Sequence, residues 1–197
     1  MSNIIIPSLI VALSGNEQAI TPDTYIYSYK RNIHLFDEIN SVTASNVISQ
    51  LTALDDISHQ DITLMINSPG GSVADGFAII DAMSSLKSDI RTVCTGVAAS
   101  MAAVVLSAGT EGKRLITPMA EVMIHQPLGG IQGQASEISK MCEHITKVKD
   151  NIAEFLSEKT SNSKEKLIAD MDRDYWMDAR EAIKYGLVDK ILKGENS

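Results

Sequence analysis

Apolar positions along this chain alternate between two spacings, and the switches mark its elements. Asn32 to Phe36 reads as a short strand, and Thr43 to Asp55 places Val47, Ile48, Leu51 and Leu54 at helical intervals. The plan then repeats. Ile62 to Ile66 predicts a strand, Asn67-Ser68-Pro69-Gly70-Gly71 a turn, and Ser72 to Leu86 a helix carrying Val73, Phe77, Ile80 and Met83. A third unit has a strand over Ile90 to Thr95, a small-residue turn Gly96-Val97-Ala98-Ala99 and an apolar helix over Ser100 to Ala108. Strands at Arg114 to Ile116 and Val122 to Ile124 follow, then a Gly/Gln-rich loop from Gln126 to Gln134. Alternation of this kind predicts an α/β domain built from right-handed crossovers.

From Ala135 to Thr160 the pattern becomes one long helix, with Ile138, Met141, Ile145, Val148, Ile152 and Phe155 recurring every three or four residues as a single stripe. Periodicity leaves two ways to cover it: a partner, or the domain's own core. At the other end, Ile4 to Leu13 is apolar but short and broken by Pro7, with no Lys or Arg ahead of it. It reads as a first strand or a mobile terminus in preference to a secretory signal or a membrane span.

Composition narrows the function classes. A chain of 197 residues, 44% hydrophobic, fits one domain with a full core. The 17 basic residues are outnumbered by 25 acidic ones, for a net charge of -8, and no Lys/Arg run could track a phosphate backbone, so no nucleic-acid partner is expected. Cys94 lies in an apolar strand pattern and Cys142 in a helical one. They form neither a disulfide framework nor a metal-ligand spacing, which favours a reducing, cytoplasmic setting.

Three local features carry chemistry. Ser100 stands where a strand pattern gives way to an apolar helix, among Gly96, Ala98, Ala99, Ala102 and Ala103, so a substrate backbone could approach its hydroxyl. By itself it reads first as a helix N-cap. Gly70-Gly71 follows a buried strand and could turn backbone N–H groups outward, as an oxyanion hole requires, although most such turns are ordinary. His125 ends a strand beside a loop, where either a general base or a structural histidine could sit.

In order and spacing, Asn67-Ser68-Pro69-Gly70-Gly71, Ala98-Ala99-Ser100-Met101, Met123-Ile124-His125-Gln126-Pro127-Leu128-Gly129-Gly130 and Gln132-Gly133-Gln134-Ala135 resemble the motifs of the caseinolytic Clp peptidases, from about Arg31 to Leu192. The resemblance implies a crotonase-like β-β-α superhelix, two stacked seven-membered rings, an AAA+ unfoldase partner, peptide substrates and no metal or organic cofactor. It makes residues 135–160 a protruding handle helix within a peptidase domain over 24–192, flanked by a mobile axial segment at 1–23 and a tail at 193–197. It assigns Ser100 as nucleophile, His125 as base and Asp174, within Arg173-Asp174-Tyr175-Trp176-Met177, as the acid that orients the histidine; the local pattern alone does not choose Asp174 over Asp170 or Asp172. Gly71 and Met101 take the oxyanion-hole positions, and Gly70, Leu128 and Gly129 those that bind substrate.

The chain also departs from that pattern. Thr24 to Lys30 does not align with the family's upstream segment, and Ala102 replaces a glycine. Tyrosines of the unfoldase-docking pocket fall at Thr63 and Met65, and a phenylalanine at Ser85. Each lost aromatic removes contact worth about 1 kcal/mol or more, so docking should be weak unless Met65 and its neighbours form a pocket of another shape. The departures point to a divergent second paralogue. Three functions compete: an active peptidase, a weakly active structural or regulatory subunit in mixed rings, and a crotonase-fold acyl-CoA enzyme, the last opposed by the intact Ser/His/Asp set. A membrane-bound relative is disfavoured by the lack of an anchor segment.

Overall fold

A computed structural model describes residues 8–13 and 16–192. Residues 1–7 and 14–15 of the expected axial segment, and all of the tail at 193–197, lie outside the described residues. Strands β1 (Leu9–Leu13) and β2 (Asn16–Ile20) form an antiparallel hairpin, followed by α1 (Pro22–Lys30), which Thr21 caps by accepting from the Thr24 amide.

The body is an α/β domain on a seven-stranded, mainly parallel sheet. Its first units are β3 (Asn32–Leu35), α2 (Ser41–Ile57), β4 (Ile62–Ser68), α3 (Val73–Ser85), β5 (Ile90–Ala99) and α4 (Met101–Ser107). Then come β6 (Arg114–Ile116), β7 (Glu121–Ile124), α5 (Ala135–Thr160), α6 (Lys164–Asp170), β8 (Tyr175–Met177), α7 (Ala179–Tyr185) and β9 (Lys190–Ile191). The parallel order β3-β4-β5-β6-β9 is joined by β7, which pairs with β5 and, antiparallel, with β8. Helix α4 is apolar on every side and buried throughout, as a helix threaded through a core must be.

One expectation is corrected. The stretch Gly96 to Ala99 is not a turn but the second half of β5, where the strand changes partners. Thr92 to Cys94 pair with β6, whereas Val97 to Ala99 pair with β7. Opposite β4 the register jumps from Ile66↔Cys94 to Ser68↔Ala98, a bulge at Gly96. Gly96 has φ 80, and a Cβ there would lie 2.7 Å from the Asn67 side-chain oxygen, which accepts from the Val97 amide at 3.2 Å. Small residues mark the bulge, not a chain reversal. Helix α4 accordingly begins at Met101, leaving Ser100 outside it.

Polar staples hold the periphery. The buried Arg31 guanidinium donates to the carbonyls of Leu54, Ser58, Gln60 and Asp61, closing the end of α2. Nearby, Asp55 accepts from the Ser88 hydroxyl at 2.6 Å and amide at 2.8 Å, and that hydroxyl contact leads in holding its carboxyl down at about 2. Arg114 pairs with Asp189 and donates to the carbonyls of Lys159 and Gly186, tying β6 to the chain's last turns. Cys94 is fully buried in β5, and burial pushes its thiol up to about 12; Cys142 is exposed on α5.

The stripe on α5 is divided. Ile152, Ala153 and Leu156 are buried in the core, whereas Ile138 and Met141 are exposed. Among the described residues, no helix is long and apolar enough to cross a membrane.

Candidate active site

The site forms where two strand-to-helix turns meet a strand end. After β5 the chain reverses at Ser100 alone, with φ 55 and ψ -127. A side chain rarely adopts such a backbone, which stores on the order of 1–3 kcal/mol of strain. The turn is held because the Ser100 amide donates to the Met123 carbonyl at 2.8 Å, and its own carbonyl accepts from Ala103 at 3.0 Å. Its hydroxyl does not cap α4. Instead the Ser100 Oγ lies 2.8 Å from Nε2 of His125, so the helix-cap reading of this serine fails.

His125 directly follows β7. Its other nitrogen, Nδ1, is 3.3 Å from the Asp174 carboxylate. Pairing of β7 with β8 explains the encounter: Ile124 faces Tyr175 in an antiparallel register, so the next position outward sets His125 opposite Asp174. With Nδ1 protonated toward the carboxylate, Nε2 presents a lone pair to the serine proton, the arrangement that general-base activation requires. The His125 side chain is 16% exposed and that of Asp174 61%, so the imidazole is sheltered while the carboxylate faces solvent.

The glycine turn after β4 supplies the opposite wall. Gly70, at φ 93, lies so close that a Cβ on it would fall 2.6 Å from the Ala99 carbonyl oxygen and 2.7 Å from Ser100 Cβ. Gly71, at φ 144, bridges to Ile39 in parallel, and a Cβ there would sit 2.2 Å from the Ile39 oxygen. Among the hydrogen bonds of the described residues, neither the Gly71 nor the Met101 amide has an acceptor. Beside Ser100 and His125 opens a narrow recess of about 20 Å³, walled by Val73, Val104, Pro127, Ile152, Leu156 and Met171.

Ser100, His125, Asp174, Gly70 and Met101 are thus brought together. Leu128 is 84% exposed on the loop after β7, and Gly129 packs toward Ile145 of α5, where a Cβ would meet the Ile145 side chain at 2.7 Å; neither walls the recess. Thr63 and Met65 lie half-buried on β4, beside Asn32 and His34 of β3, and Ser85 is exposed at the end of α3 with its hydroxyl on the Ala82 carbonyl. Sequence reasoning missed the inner wall formed by Ile152 and Leu156, and also the side-chain role of Gln126, which donates to Asp172. Among the described residues, no three His, Cys, Asp or Glu side chains converge as metal ligands would. A family model described as Clp protease matches residues 15–195.

Proposed function

Because the chain belongs to the Clp protease family, we propose that it is a serine endopeptidase in which Ser100, His125 and Asp174 form the catalytic triad. The observation that carries this reading is the 2.8 Å contact between Ser100 Oγ and His125 Nε2, made by a serine that forgoes the cap its position offers. Ser100 attacks a peptide carbonyl while His125 takes its proton, and the resulting oxyanion draws on the free amides of Gly71 and Met101. The tetrahedral adduct collapses, the C–N bond breaks, and His125 returns the proton to the departing amine. Water, deprotonated by the same histidine, then hydrolyses the Ser100 ester. Gly70, Leu128 and Gly129 would hold the extended substrate, beside the narrow apolar recess lined by Val104, Ile152 and Leu156.

In this reading the subunits assemble as two stacked seven-membered rings in the cytoplasm, with the exposed half of α5 as the handle between rings, and an AAA+ unfoldase delivers unfolded chains. A second reading draws support from β4: Thr63 and Met65, with Ser85, offer no aromatic side chain to a docking loop. The chain would then be a weakly active or structural subunit that works in mixed rings with a paralogue.

A fluorophosphonate probe tests the first reading. Labelling confined to Ser100, absent in Ser100→Ala and accompanied by peptide hydrolysis, supports it; modification of another serine rejects it. Titrating an AAA+ unfoldase against rings of this chain alone separates the two readings, since tight binding with degradation of a folded substrate rules out dependence on mixed rings.

A further inference from the structure

The triad acid has little to hold it in place. Asp174 is mostly exposed, and its contact with His125 is the only one its carboxylate makes among the described hydrogen bonds and ion pairs. On its C-terminal side the chain is fixed by β8 pairing with β7. On its N-terminal side the fixing is done by Gln126, the residue after the base. The Gln126 amide donates to the Met171 carbonyl at 2.7 Å. Its side-chain Nε2 donates to the Asp172 carbonyl at 3.1 Å and reaches the Asp172 carboxylate at 3.4 Å. Its Oε1 accepts from Lys149 of α5 at 3.0 Å. The amide has a donor's partner at one end and an acceptor's partner at the other, so its orientation is fixed by chemistry.

We propose that Gln126 is a positioning residue for the triad acid, clamping the Met171–Asp174 segment against the strand end that carries His125, with Lys149 locking the clamp from α5. This rests on the triad reading above. Gln126 touches no reacting atom; it acts by keeping the Asp174 carboxylate where it stabilises the imidazolium that forms when His125 takes the serine proton. Releasing the clamp should therefore slow the chemical step as loss of the Asp174 carboxylate does, leaving the recess beside Ser100 intact.

The charged groups around His125 set the controls. Asp174 faces it from the end of β8. Asp172 and Arg173 lie on the same segment, Arg173 pairing with Asp172 at 3.7 Å, and Lys149 approaches from α5. Gln126→Leu keeps most of the bulk and changes no charge, so any shift it causes comes through position.

The experiment is the pH dependence of fluorophosphonate labelling in the full-length protein. Asp174→Asn is the reference and should slow labelling and alter its pH profile. Gln126→Leu should move the profile in the same direction and reduce the labelling rate roughly tenfold, in keeping with a modest misplacement of a catalytic group. An unchanged rate and profile in Gln126→Leu, with Asp174→Asn slowed, overturns the clamp but spares the triad. An Asp174→Asn protein that labels at the wild-type rate rejects the triad reading itself. Lys149→Met, at a half-buried site, decides the matter if Gln126→Leu does not fold. A slowed rate with the profile moved as in Asp174→Asn supports the inference, and an unchanged rate or a profile moved the opposite way, as loss of a nearby cation alone would move it, rejects it.

Discussion

Two strand-to-helix turns lie side by side in this molecule, and they are built on opposite principles. The turn after β4 takes its positive φ angles at Gly70 and Gly71, and Ser72 caps α3 by accepting from the Asp75 amide at 3.3 Å. The Ser68 hydroxyl braces it, donating to the Asp37 carbonyl and accepting from the Gly70 amide. The turn after β5 puts its positive φ on Ser100, a residue with a side chain, and leaves that side chain out of the cap. The first turn is relaxed and exists to approach closely; the second is strained and exists to display a hydroxyl. Strain persists where the surrounding structure over-determines it and function uses it.

The contrast can be broken by four substitutions. The largest effect should come from Ser100→Ala, which removes only an oxygen: peptide hydrolysis should fall by roughly 10⁵-fold or more, the scale on which a triad acts as a unit, with the thermal transition almost unmoved. Next is Gly71→Ala. With Ile39's carbonyl oxygen only 2.2 Å from the new methyl, the bridge to Ile39 must give way, and denaturant unfolding should show a loss of about 3 kcal/mol or more.

Gly70→Ala should destabilise less, by about 2 kcal/mol, but it should also slow probe labelling, because its methyl presses on Ser100 Cβ and the Ala99 carbonyl. A Gly70→Ala protein that labels at the wild-type rate would show that the two turns are independent. The smallest effect is the most diagnostic. Ser100→Gly should be more stable than Ser100→Ala by about 1 kcal/mol, since glycine adopts φ 55, ψ -127 without a Cβ penalty. Equal stability would mean that Ser100 carries no strain.

Most elements that frame the site were legible in local sequence. Helix α5 has the bounds its periodicity predicts, and the strand-turn-helix units around Gly70 and Ser100 fall where the pattern puts them, apart from the bulge in β5. That bulge was misread because small residues look alike in a turn and in a strand that swaps partners, and the partners, β6 and β7, are distant in sequence. The position of Asp174 was invisible locally for a related reason. It depends on the register of β7 with β8, two short strands separated by the whole of α5 and α6. Resemblance, not pattern, picked it out from Asp170 and Asp172. The stripe on α5 shows the same limit: its spacing is uniform from Ile138 to Phe155, yet Ile152 is buried and Ile138 is not, because periodicity names a face without naming what covers it.

The two cysteines differ as sharply as the two turns, with a practical result. At neutral pH the Cys94 thiol is enclosed and almost wholly un-ionised, so a maleimide finds neither access nor thiolate there, whereas Cys142 stands in solvent on α5. The isolated chain is therefore a single-site labelling reagent: a dye or spin probe added without mutagenesis would attach to α5 alone, and any loss of its reactivity on self-association would report that this part of α5 had been covered.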